Sequence, residues 1–177
     1  MLRRLLLVAA AVAVIGQSAW DGGRHVAHAW SQSPERMATP DIEVLVKQAV
    51  EDRFAAKDVP DGNLLGKATR IAIREEMPEA GLKLSRAAVP QRDGYSFVLI
   101  SGAAAQAEAD RSGRPVYFIT VDQPSISGDT ATVSLGVDVV SPREPKTINM
   151  CCCTGQGQFR RAEGRWAFVK WAQMVCS

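Results

Sequence analysis

Apolar residues recur at two different periods along this chain, and the change of period divides it. Ile42, Leu45, Val46, Ala49, Val50 and Phe54 recur at steps of three and four, which is one face of an α-helix, while Lys47, Glu51 and Asp52 fall elsewhere. Thr39 is placed to cap that helix and Pro40 suits its first position. Asp41 and Glu43 lie where the helix dipole favours anions. The helix is expected to end near Lys57, before Asp58-Val59-Pro60-Asp61-Gly62. Beyond Pro115 the period is two. Val133, Leu135, Val137 and Val139 alternate strictly with Ser134, Gly136 and Asp138, the pattern of an antiparallel strand with one buried and one polar face.

Between these regions the pattern is mixed. Residues 63–77 fit a helix through Leu64, Leu65, Ala68, Ile71 and Ala72 and a strand through Thr69, Ile71 and Ile73; helix is favoured for most of it. Leu82-Lys83-Leu84 starts a strand running towards Val89, and Tyr95 to Ile100 reads as a strand. Ser101 caps a short Ala-rich helix, Gly102 to Asp110, that stops at Ser112-Gly113. Val116 to Val121 is a strand, and Ser127-Gly128-Asp129-Thr130 is a hairpin turn into the alternating strand. Gln156 to Ala162 and Arg165 to Val175 form a second hairpin about Glu163-Gly164. The expected fold class is α+β: a long amphipathic helix packed on a bent antiparallel sheet that ends in a four-stranded meander.

All four cysteines lie at the ends of the second hairpin. A two-residue turn sets Phe159 opposite Phe168, and the same register carried outward sets Cys151 opposite Cys176. Directly opposed residues have Cα atoms about 4.5–5.5 Å apart, inside the range a disulfide accepts. A longer turn, or a bulge at Thr154-Gly155, shifts the register and hands the bond to Cys152 or Cys153. A complete pairing of four cysteines needs a bond within Cys151-Cys152-Cys153, so one disulfide and two thiols is the simpler expectation. The alternative use of the triplet is a thiol or soft-metal site. Trp166 and Trp171 fall on opposite faces of a regular strand.

The first residues change the picture of compartment and charge. Met1-Leu2-Arg3-Arg4 followed by an apolar run from Leu5 to Gly16 has the shape of a secretory signal peptide, too short to span a bilayer. Cleavage is expected after Ser18 or after Ala29. Residues 30–38 then read as a linker and 39–177 as one domain. Disulfides persist outside the reducing cytoplasm, which fits a secreted or periplasmic protein with no stable membrane insertion once the leader is gone. The chain carries 21 basic and 19 acidic residues; residues 1–29 hold three of the former and one of the latter, so the remainder is neutral. A neutral domain is a poor match for nucleic acid. The two histidines, His25 and His28, also precede Ala29, which removes histidine-based triads and metal ligands if cleavage falls there.

The stretch Ile42 to Phe54, the run Gly128-Asp129-Thr130-Ala131-Thr132-Val133 and the closing Phe159-Arg160-Arg161-Ala162-Glu163-Gly164-Arg165-Trp166-Ala167-Phe168-Val169 together resemble the nuclear-transport-factor-two-like (cystatin-like) α+β superfamily. That resemblance implies a helix over a sheet enclosing a cone. It also implies either a binding domain or an isomerase- or lyase-like enzyme with an Asp or His base inside the cone. Asp138 is the carboxylate it offers as general base, and Tyr95 or Tyr117 the hydrogen-bond donor to an oxyanion. Alternation instead sets Asp138 on the polar strand face with Ser134 and Thr132. Gly155-Gln156-Gly157 lacks the following helix and the Lys-Ser/Thr of a phosphate loop. Arg160-Arg161 is a dibasic pair on a strand, and Glu75, Glu76 and Glu79 are loosely spaced carboxylates. No cofactor or metal is called for. The leading expectation is a non-enzymatic module that binds a small molecule or a protein.

Overall fold

The computed structural model describes residues 36–143 and 152–176. The leader, both proposed cleavage sites, the two histidines and Cys151 lie outside the described residues. Helix α1, Pro40–Ala55, begins where Thr39 Oγ1 accepts the amide of Ile42 at 3.4 Å, with Asp41 and Glu43 in its first turn. Leu45, Val46, Ala49 and Val50 on its inner face have no exposed surface. Glu43 is buried as well, and its carboxylate accepts the amide of Ser85 at 2.7 Å, fastening the helix to the segment beside it. Among the described residues no helix is long and apolar enough to cross a membrane.

The sheet beneath α1 has six strands and is mixed. Four of them, β6 (Val116–Ser127), β7 (Thr130–Val140), β8 (Cys153–Ala162) and β9 (Arg165–Cys176), form an antiparallel meander. Two more, β2 (Arg70–Arg74) and β5 (Ser96–Ile100), extend it beyond β6 in the order β5-β2-β6, and all three are parallel. The wholly antiparallel sheet read from the sequence is corrected accordingly. A second helix, α2 (Gly102–Ser112), connects β5 to β6. Ser101 Oγ caps it by accepting the Ala104 amide at 3.1 Å, and Gly113 ends it at φ 65°. Ala105 and Ala109 of α2 are buried, as is Phe118 of β6. Phe118 alternates with Ile119, so this small cluster lies on the sheet face opposite α1.

Residues 63–77 are not mainly helical. Gly62–Leu65 is a single 3₁₀ turn, residues 66–69 are a turn and loop, and β2 and the two-residue β3, Glu76–Met77, follow. Ile71 and Ile73 fill the slot between two parallel neighbours, where a branched side chain packs better than in an isolated helix. The strand expected from Leu82 towards Val89 is cut short. β4 is Leu82–Lys83 alone, and a 3₁₀ turn, Arg86–Ala88, follows under a Ser85 cap. β1 (Arg36–Met37) pairs in parallel with β4, so part of the segment read as linker is a strand.

The last hairpin decides the disulfide. Ala162 pairs with Arg165 and Phe159 with Phe168, as the turn dictates. Gln158 then pairs with Lys170 and Gln156 with Gln173, so β9 carries one unmatched residue at Val169 and another at Ala172. Each is a bulge, and the two together move the register by two positions. Cys176 therefore meets Cys153 instead of Cys151, and the bond formed is Cys153–Cys176. Cys152 is also disulfide-bonded, so the expectation of one disulfide and two thiols is corrected.

Candidate functional site

The two faces of the meander have opposite characters. On the α1 face, Ala131, Val133, Leu135 and Val137 of β7 are buried together with Ile119 and Val121 of β6. Phe159 and Trp166 close the same core on β8 and β9. Trp171 joins that face too, because the bulge at Val169 reverses the alternation; its ring lies 5.0 Å from Phe168 in an edge-on contact. The two tryptophans thus share one face, contrary to the expectation for a regular strand. The glycines of β8 explain the fit. A Cβ at Gly155 would lie 2.6 Å from the Trp171 ring, and one at Gly157 would lie 2.9 Å from Phe159. Gly155-Gln156-Gly157 is a bed for aromatic rings. Arg53 at the end of α1 covers the group, its guanidinium 3.7 Å from the Phe168 centroid.

The core between helix and sheet is therefore filled by side chains, and one of several surface concavities among the described residues lies on the other side. A groove of about 480 Å³ crosses all four meander strands on the face away from α1. The ladder places its residues in rows. Asp122, Ser134, Gln156 and Gln173 stand side by side across β6 to β9, and Thr120, Gly136, Thr154 and Val175 form the next row. Gly136 belongs there because a Cβ would lie 2.5 Å from the carbonyl oxygen of Cys153. One wall is the turn at Pro78 and Glu79. The Asp122 carboxylate organises it by accepting the amides of Glu79 and Ala80, both at 3.2 Å, and of Gln123 at 2.8 Å. The Gln123 side-chain amide donates to Glu79. The other wall is Gln173 and Val175 on β9.

Asp138 lines this groove at the next row, opposite Phe118, and its Oδ1 accepts the amide of Val139 at 2.7 Å. Neither tyrosine is with it. Tyr117 is half-buried against the helix-side core, and Tyr95 is exposed, its ring edge-on to Phe54 of α1 at 4.9 Å. The base and oxyanion donors implied by the resemblance are thus on opposite faces of the sheet.

The remaining candidates separate. Glu75 pairs with Lys83 at 3.0 Å, Glu76 accepts the Gly102 amide, and Glu79 belongs to the groove wall. Arg161 stacks on Trp166 at 4.4 Å and reaches Asp41 at 3.5 Å, while Arg160 is exposed. Cys152 lines the groove, but it and Cys153 are engaged in disulfides, so neither offers the thiolate that a soft-metal site needs. No group of three or more His, Cys, Asp or Glu among the described residues is placed to hold a metal ion.

Thr120, Ser134, Thr154, Gln156 and Gln173 were not singled out from the sequence as site residues. The polar half of the alternation contained them, but only the ladder of four strands puts them in one concavity. Hydroxyls and amides can each donate and accept, so the lining suits a polar ligand held by several hydrogen bonds. The chain matches no protein-family model, no curated protein and no solved structure.

Proposed function

We propose that the chain is an exported, non-enzymatic binding module whose ligand, a small polar molecule or a polar segment of a protein, lies in the groove on the sheet face away from α1. The observation that carries this reading is the lining. Thr120, Ser134, Thr154, Gln156 and Gln173 converge on one concavity, and none of their side chains makes a hydrogen bond to another described residue. A volume of about 480 Å³ falls in the range of small-molecule sites, about 300–1,000 Å³. The basic start with its apolar run, and the disulfides, support a secreted or periplasmic location. The resemblance to the nuclear-transport-factor-two-like superfamily contributes only a precedent, since such folds host binders as well as enzymes.

The test is a thermal-shift screen of sugars, polyols, amino acids and short polar peptides on the mature protein. A true ligand raises the melting temperature of the wild type and loses that effect in Ser134→Ala/Gln156→Ala. Hits indifferent to both substitutions would place binding elsewhere. The second reading, an isomerase- or lyase-like enzyme with Asp138 as base, is favoured by one fact: Asp138 lines the groove. Asp138→Asn separates the two. A binder keeps its affinity within a few fold, whereas an enzyme still binds and stops turning over.

A further inference from the structure

We infer that the Cys153–Cys176 disulfide is a redox-sensitive clamp on one wall of the groove; its functional consequence rests on the groove being the binding site. The strand β9 is held in two different ways along its length. Up to Trp171 it is anchored in the core: Trp166 is buried, Phe168 packs on Phe159, and Trp171 lies over Gly155 and donates to Asp58 at 3.1 Å. After Trp171 comes the bulge at Ala172, and from there Gln173, Met174, Val175 and Cys176 are all exposed. β9 is the edge of the sheet, so this end has a ladder on one side only. No core side chain follows the bulge to hold it. The disulfide is the covalent tie at its tip, and the residues it holds down include Gln173 and Val175, which form the groove wall.

An external dithiol reduces the bond with a balanced exchange. One thiolate attacks a cystine sulfur, the other cysteine leaves as thiolate, and the second thiol of the reductant displaces the first cysteine. The reductant becomes a disulfide and Cys153 and Cys176 become thiols. The wall then frays from Ala172 outward while the remainder of the sheet stays folded.

Hydrogen–deuterium exchange on the mature protein tests this without any ligand. The comparison is between wild type and Cys153→Ser/Cys176→Ser, with wild type under mild dithiol as a second measurement. The expected result is at least a tenfold rise in exchange for the amides of residues 173–176 and their partners at the start of β8, with residues 165–171 unchanged. Unchanged exchange in the variant overturns the clamp. Loss of protection throughout the sheet also overturns it, because the bond would then be a global staple. Since no ligand enters the measurement, failure of the clamp is distinct from failure of the binding reading.

Discussion

The two faces of strand β7 differ in what covers them, although their residues are interleaved one by one. Val133, Leu135 and Val137 lie under α1 with no exposed surface. Ser134 and Asp138, one residue away, face a groove. The helix is what makes the difference. Its inner stripe needs an apolar partner, and only one face of the meander offers it, so the polar face is left for solvent or a ligand. At the end of β6 near Phe118 the second face is covered as well, by the alanines of α2. The groove ends at that covered row, with Asp138, the partner of Phe118, at its margin.

Substitutions at adjacent positions sharpen this contrast, and the largest effect is on the helix side. Leu135→Ala is expected to cost about 2–5 kcal/mol, because it leaves a cavity in a fully buried cluster. Ser134→Ala, next to it, is expected to stay within about 0.5 kcal/mol. Urea unfolding measures both; equal costs would break the distinction between the faces.

A middle-sized effect is expected where the helix-side face depends on missing side chains. Gly155→Ala sets a Cβ 2.6 Å from the Trp171 ring and 3.1 Å from Pro60. Overpacking of this kind costs about 1–3 kcal/mol, and Trp171 must move, so its fluorescence should shift as well. An unchanged emission spectrum would contradict the bed of glycines described for that ring.

The smallest effect is expected at the end of α2. The backbone amide of Arg143 holds the Asp110 carboxyl below its ordinary 3.8; burial opposes it as the next largest influence, and the Gln106 amide and the Arg143 charge lower it further. A lowered carboxyl stabilises the fold fully above pH 3.8 and loses that contribution as the pH falls through the lower folded value. Melting curves of wild type and Asp110→Asn should therefore differ slightly at neutral pH and converge in acid. A gap that widens on acidification would reverse the sign.

Much of the local structure was legible. Thr39, Pro40 and the three-four stripe marked α1, Ser101 marked α2, and Gly128 and Gly164 marked the two hairpin turns, each at positive φ. These signals are local: a cap, a period and a turn residue act within a few positions of themselves. Residues 63–77 were misread because Ile71 and Ile73 are strand residues only in the presence of β5 and β6, which follow later in the chain. Among the disulfide partners the sequence leaves open, the alternative Cys153 replaces the first-named Cys151 for a related reason. The turn sets the first pairs of β8 and β9, but the bulges at Val169 and Ala172 arise farther along, where Trp171 settles on the glycines.

The sequence by itself determined which residues are apolar on one side of each strand, where the chain turns, and that cysteines sit at both ends of the last hairpin. Those properties depend on neighbours a few residues away. Only the tertiary structure decided which strands lie side by side, and with that the mixed sheet, the Cys153–Cys176 bond and the groove. The groove is a row of residues from four strands, 51 positions apart between Asp122 and Gln173. No period along the chain encodes such a row; it exists because backbone hydrogen bonds fix the register across the sheet.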